Sequence, residues 1–355
     1  MRLSKASQMS APSPRLLGLA TAVPKNVLRQ PEVAAKALAT FGRDSAIERL
    51  LPVYQNAGVD KRHACFPLDW YTADRDWAEC NTQFVEQAVG LIERAAVQCL
   101  ENAGRQPADI DAIVTVSSTG IAAPSLDAIL ANRLPFSADV TRLPIFGLGC
   151  GGGVLGLARG AALACAGYRN VLVLVVELCT LTFRRFDRTP GNIVATALFA
   201  DGAAAALIGE GDGPAITCVG ERTWPATLDV MGWDIENDGF GVVFSREIPA
   251  IIRREFRPAV DEFLAKHGMT VADVDAFVCH PGGAKVLAAL QESLDLPAEA
   301  LAPAADVLRE YGNMSSASVL FVLERMYRPG GGRYLLSALG PGFTAAFLVL
   351  ESPPQ

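Results

Sequence analysis

No apolar run in this chain approaches the roughly 20 residues needed to cross a bilayer, and no lysine- or arginine-rich stretch appears anywhere. With a formal net charge of −7, it has no general attraction for nucleic acid or anionic membrane, so an anionic ligand must be held by a local basic patch. CxxC pairs are missing among the eight cysteines. In a chain this long, that absence argues against a disulfide framework and predicts reduced thiols in the cytoplasm. Aromatics are few, at 7%. Histidine is scarce, three in 355 residues, so each can be weighed singly. The polar stretch Met1–Arg15, without an apolar signal core, predicts a flexible tail.

Half of the residues are hydrophobic, which suits valine- and leucine-rich strands covered by alanine-rich helices. The pattern predicts helices over Phe84–Ala103, Gly151–Ala166, Pro258–His267, Ala284–Leu294 and Met314–Met326. Strands are predicted at Ile110–Val116, Val171–Val176, Ala276–Cys279, Tyr334–Leu339 and Ala345–Leu350. Strands joined through helices predict mostly parallel sheets covered on both faces.

The chain also repeats itself. Ala108-Asp-Ile-Asp-Ala-Ile-Val114 recurs as Ala272-Asp-Val-Asp-Ala-Phe-Val278. At nearly the same offset, Cys150 is matched by Asn313. Two halves are therefore expected, 16–212 and 213–355, divided near Gly211–Pro214 where glycine and proline interrupt the pattern.

Cys150 stands in Phe146-Gly-Leu-Gly-Cys-Gly-Gly-Gly153, before a helix without charge until Arg159. Glycines permit a tight turn and close backbone approach, and a helix N-terminus favours thiolate over thiol. The alternative is a small buried apolar cysteine, which suits most of the other seven. His280 closes a short strand and opens Pro281-Gly282-Gly283, placing it at a cleft or in a satisfied turn. His63 and His267 lie in polar surroundings and carry no functional reading. Asn313, in Tyr311-Gly-Asn-Met-Ser-Ser-Ala317, suits a helix N-cap and can also donate to an oxyanion.

With these residues the chain resembles the type III polyketide synthases, the chalcone-synthase-like branch of the thiolase-fold condensing enzymes. The motifs are Gly149-Cys-Gly-Gly-Gly153, Ala197-Leu-Phe-Ala-Asp-Gly-Ala-Ala204, His280-Pro-Gly-Gly283, Tyr311–Ala317 and Gly340-Pro-Gly-Phe-Thr344. The resemblance implies a duplicated α/β fold, a five-layer α-β-α-β-α sandwich, acting as a homodimer. It implies catalysis by Cys150 as acyl carrier, with His280 as its imidazolium partner and His280 and Asn313 as donors to the enolate of decarboxylated malonyl-CoA. No metal or cofactor is implied, because acyl-CoA and malonyl-CoA are substrates. Phe199 matches a gatekeeping phenylalanine. Ser118, Cys179 and Thr182 match cavity-lining threonines, and Trp233, Val242, Ser315 and Gly342 are further expected substrate contacts. Lys61 and Arg62 match basic CoA contacts, with Gly282 and Gly283 as tunnel-lining backbone. Small residues at Ser118, Cys179, Val242 and Ala123 predict room for a fatty acyl starter and an alkylpyrone or alkylresorcinol product, although Trp233 takes volume back. The alternatives are a ketoacyl-ACP synthase III-like enzyme, a type III synthase with an aromatic or malonyl starter, a papain-like hydrolase, or a scaffold with a decayed site.

Overall fold

The computed structural model describes residues 13–42 and 45–352. The first half comprises β1 (Arg15–Ala22), β2 (Asn26–Arg29), α1 (Gln30–Phe41), α2 (Ser45–Leu50), α3 (Pro52–Asn56), β3 (Lys61–Ala64) and the long α4 (Trp77–Ala103). It continues through β4 (Ala112–Val116), α5 (Leu126–Leu130), β5 (Thr141–Ile145), α6 (Gly152–Cys165), β6 (Asn170–Leu178), α7 (Pro190–Leu198) and β7 (Asp201–Gly209). The second half comprises β8 (Ala215–Thr223), a hairpin of β9 (Met231–Glu236) and β10 (Gly239–Phe244), then α8 (Ile248–Ala265) and β11 (Ala276–Cys279). It ends with α9 (Ala284–Leu294), α10 (Ala302–Tyr311), α11 (Ser318–Met326), β12 (Arg333–Gly340) and β13 (Thr344–Glu351).

The main sheet runs β11-β12-β13-β8-β1-β7-β6-β4-β5. It is two sheets in one, because β1 and β8 share only the pair Arg15↔Ala215. Each half repeats the same pairing. β4 and β6 are parallel, β6 and β7 antiparallel, and β7 and β1 antiparallel. Correspondingly, β11 and β12 are parallel, whereas β12 with β13 and β13 with β8 are antiparallel. The sheets are thus mixed, not mostly parallel as expected. The turn at Pro341–Phe343 between β12 and β13 is too short for a crossover, so it can only return the chain antiparallel.

The repeated heptapeptide has a structural cause. Asp109 and Asp273 each close a capping box at a 3₁₀ turn, with Gln106 and Thr270 respectively. Asp111 then accepts from the backbone N–H groups of Arg169 and Asn170, at the start of β6. Asp275 does the same for Arg333, at the start of β12. Each repeat therefore staples a strand to its parallel neighbour.

Alternate residues of β6 face opposite layers. Leu172, Leu174 and Val176 pack with α4, while Val171, Val173 and Val175 join the cluster that includes α6. Helices α6 and α11 each contact strands of both half-sheets, and α8 and α9 cover the far side. The layers are therefore α4, sheet, α6 with α11, sheet, α8 with α9, the five-layer arrangement implied by the resemblance.

Several boundaries differ from expectation: α4 begins at Trp77 and not at Phe84, and α11 begins at Ser318, after a 3₁₀ turn at Ser315–Ala317, and not at Met314. Pro258 does not start a helix but lies inside α8, which begins at Ile248 with a proline in its first turn. Arg15, assigned to the tail, is the first residue of β1 and donates to Gly213 O at 2.6 Å. Pro14 O likewise accepts from Ile216 N–H at 2.7 Å, and residues 1–12 of the expected tail lie outside the described residues. Among the described residues, no helix is long and apolar enough to cross a membrane, and all eight cysteines are free.

Candidate active site

Cys150 sits in a 3₁₀ turn, Gly149–Gly151, that leads directly into α6. Its glycine collar is required by crowding. Gly149 has φ +45°, and a Cβ there would lie 2.5 Å from the Pro341 ring. A Cβ on Gly153 would lie 2.2 Å from the Ser316 carbonyl. The collar is where the two halves touch. Gly149 N–H also donates to Ser118 Oγ at 3.0 Å, which fixes the turn against the end of β4.

Asn313 belongs to the opposite half and is held from four directions. Its backbone N–H donates to Leu198 O and its carbonyl accepts from Ala200 N–H, a bridge that places it beside Phe199. Its side-chain Oδ1 accepts from Ser315 N–H at 2.8 Å, and Nδ2 donates to Gly282 O at 3.2 Å. One amide hydrogen is used in this way, leaving the second to donate. Asn313 is not a helix N-cap, since the following 3₁₀ turn begins at Ser315.

His280 emerges from β11 and is 4% exposed. Its backbone N–H donates to Ser337 O, yet neither ring nitrogen has a partner among the described residues. Two unsatisfied buried nitrogens are costly, which marks the ring as aimed at a ligand rather than serving structure.

The electrostatics correct one expectation. Burial, not the helix N-terminus, dominates at Cys150 and pushes its thiol up to about 12; the Ser315 hydroxyl, at 3.6 Å from Sγ, lowers it and Glu177 raises it. Burial likewise pushes His280 down to about 3. Taken singly, burial therefore favours the neutral thiol at Cys150 and the neutral imidazole at His280.

Glu177 was not singled out in the sequence, although a lone charge within the apolar run of β6 is its signal. It is fully buried and links both halves. Its carboxylate accepts from Ser316 Oγ at 2.6 Å, Ser118 N–H at 2.9 Å and Thr119 Oγ at 2.8 Å. Burial raises its pKa to about 7 despite these donors. Folded Glu177 thus holds a proton between its ordinary value of 4.5 and about 7 while the unfolded chain has lost it, so this group costs stability as pH rises through that window. Glu177→Gln mimics the protonated acid and should remove that slope. Glu177→Ala strands three donors and should lose roughly 3 kcal/mol or more. Urea denaturation from pH 4.5 to 8 reads both effects, and equal pH slopes in wild type and Glu177→Gln would contradict the assignment.

A cavity of about 720 Å³, part of it open to solvent, borders the site. Phe199, Cys179, Thr182, Trp233 and Val242 line it, as expected of substrate contacts, and it runs on beneath α1 to Leu28, Val33 and Ala37. Ser118, Ser315 and Gly342 do not line it. The first two surround Cys150, and Gly342 turns the β12–β13 hairpin, its carbonyl accepting from Thr227 Oγ. Trp233 closes the space expected beside Ser118: its indole N–H donates to Ser118 O at 2.9 Å, and its ring lies 6.4 Å from Phe199.

Arg62 is a further correction. It is 2% exposed and donates to the carbonyls of Thr196, Ala197 and Phe199 and to Gln30 Oε1. It caps the C-terminal end of α7, where a cation meets the unpaired carbonyls, and offers no free edge to a phosphate. Lys61, its neighbour on β3, is exposed. Gly282 and Gly283 are buried, the first as the acceptor for Asn313 and the second at the start of α9. No cluster of metal-ligating side chains occurs among the described residues.

The chain is similar to known proteins over nearly its whole length. Family models described as the N-terminal and C-terminal domains of chalcone and stilbene synthases match residues 2–212 and 216–354. A 1,3,6,8-tetrahydroxynaphthalene synthase of Streptomyces peucetius subsp. caesius is 42% identical over 87% of this chain and 85% of that protein. The alpha-pyrone synthesis polyketide synthase-like Pks18 of Mycobacterium tuberculosis is 29% identical over 94% of this chain and 90% of its own length. The crystal structure of 1,3,6,8-tetrahydroxynaphthalene synthase from Streptomyces coelicolor A3(2), described as a bacterial type III polyketide synthase, superposes with a TM-score of 0.91 at 28% identity. That match covers 96% of this chain and all of that one.

Proposed function

The chain belongs to the chalcone and stilbene synthase family, the type III polyketide synthases, and from that membership we propose that it extends a fatty acyl starter with malonyl-CoA to an alkylpyrone or alkylresorcinol. Enzymes of this family are acyl-transferring condensing enzymes that use CoA thioesters. In the proposed cycle, Cys150 sulfur attacks the starter thioester and His280 takes its proton. A thioester to Cys150 forms and CoA leaves as its thiol. Malonyl-CoA loses carbon dioxide, and the electron pair of the broken C–C bond becomes an enolate whose oxygen accepts from His280 and Asn313. The enolate carbon attacks the acyl-Cys150 carbonyl, forming a C–C bond and freeing the sulfur. The lengthened chain, now a CoA thioester, returns to Cys150 for the next extension.

The observation behind the aliphatic starter is the cavity running from Phe199 beneath α1, whose Leu28, Val33 and Ala37 walls suit an alkyl chain. Lys61 is exposed and so available to CoA phosphates, and eight free thiols suit work in the cytoplasm. A homodimer is part of the same reading. A second reading, malonyl-CoA as both starter and extender, is favoured by the likeness to the Streptomyces peucetius tetrahydroxynaphthalene synthase. Malonyl-CoA paired with acyl-CoA starters of increasing length decides between them. The alkyl reading expects kcat/KM to rise by roughly tenfold or more from acetyl to long-chain starters, on the worth of a methylene in an apolar pocket. Product from malonyl-CoA alone, with no alkyl incorporation, would establish the second reading.

A further inference from the structure

A second cavity, of about 770 Å³ and partly open to solvent, lies beside the first. Tyr71, Thr180, Thr182, Phe183 and Phe240 line both. Three of these five are fixed by side-chain hydrogen bonds. Tyr71 OH bonds Thr180 Oγ and accepts from Phe66 N–H, Thr180 is tied to the Asp201 carboxylate, Thr182 Oγ donates to Cys179 O, and Phe183 packs edge-on against Phe41. Phe240, like Phe183, is held by ring packing. Its centroid lies 5.8 Å from Trp77, 5.8 Å from Trp233 and 6.4 Å from Phe146.

Its neighbours sharpen the point. Gly239 has φ +127°, and a Cβ on Gly241 would lie 2.5 Å from Glu236 Oε1. In Gly239-Phe240-Gly241, the Phe240 ring is the one side chain this tripeptide contributes, and with Tyr71, Thr180, Thr182 and Phe183 it lies between the cavities. On its far side, Trp77, Phe84 and Leu181 give the second cavity an apolar inner wall, and Arg75, Asp76 and Arg184 stand among its polar lining.

We propose that Phe240 is the partition that sets how long an acyl chain this enzyme accommodates, by closing the apolar inner end of the second cavity to a chain growing in the first. The inference rests on the condensing reaction and not on the starter proposed above. Shrinking the ring should let the chain pass, and enlarging it should shorten the usable space.

The test compares wild type, Phe240→Leu and Phe240→Trp with one acyl-CoA panel and malonyl-CoA, reading starter preference and number of extensions by mass spectrometry. Phe240→Leu should shift relative kcat/KM about tenfold toward longer chains, or add extensions, and Phe240→Trp should do the reverse. An unchanged product profile in both variants overturns the partition. Phe240→Trp keeps an aromatic ring among its aromatic neighbours, so it decides the matter alone if Phe240→Leu fails to fold. If wild type accepts no alkyl starter, the starter reading fails, while the extension count still reports on Phe240.

Discussion

Replacing Cys150 by alanine is expected to abolish chain extension, by roughly 10⁴-fold or more, on the scale seen when a covalent nucleophile is removed. The loss should be selective. Decarboxylation of malonyl-CoA requires donors for an enolate oxygen, and these are assigned to His280 and Asn313, not to the thiol. Cys150→Ala should therefore still release carbon dioxide from malonyl-CoA while forming no lengthened product. Parallel assays of carbon dioxide and polyketide separate the two half-reactions, and undiminished product would return the chain to a reading in which Cys150 is structural. The burial of the thiol adds a second readout. Because burial holds the Cys150 pKa near 12, alkylation of unliganded enzyme by iodoacetamide should accelerate steadily as pH rises from 6 to 10. A flat profile would instead mean a preformed thiolate–imidazolium pair.

His280→Ala should cost extension roughly 10³-fold or more, combining the loss of a proton acceptor with the loss of an oxyanion donor. Unlike Cys150→Ala, it should also depress decarboxylation, since its ring serves both half-reactions. The fold should tolerate the change, because neither ring nitrogen makes a hydrogen bond in the native state. Stability against acid gives an independent signature. Folded His280 titrates near 3 and the unfolded chain near 6.5, so between those values only the unfolded state binds the proton, and stability falls as pH drops through that window. His280→Ala should flatten this part of the profile. A variant that keeps wild-type decarboxylation would remove His280 from the enolate site.

The same three residues were visible before any fold was known, and the reason is local. A glycine collar, a histidine leaving a strand into Pro-Gly-Gly, and an asparagine in Gly-Asn-Met-Ser-Ser are turn chemistry, written in consecutive residues. The heptapeptide repeat was equally legible, because Asp109 and Asp111, like Asp273 and Asp275, satisfy backbone groups at the same turn in each half. The expected helices and strands lie where hydrophobic period put them, but the starts of α4, α8 and α11 do not, and at Pro258 the packing of α8 overrides a local breaker.

What the sequence could not carry was the direction of side chains whose partners lie far along the chain. Arg62 reads as a surface cation from its neighbours Lys61 and His63, yet its guanidinium meets carbonyls more than 130 residues away. Cys150 reads as a thiolate from the helix that follows it, but its desolvation comes from the other half of the molecule closing over it. Glu177, Trp233 and Phe240 gain their roles only where separate strands converge. By itself, then, the sequence showed the duplication and the short motifs around Cys150, His280 and Asn313, and the resemblance those motifs carry gave the class of reaction. Tertiary structure alone decided how deeply the site is buried and the shape of the cavities behind it, because desolvation and free volume belong to packed surfaces and to no single segment.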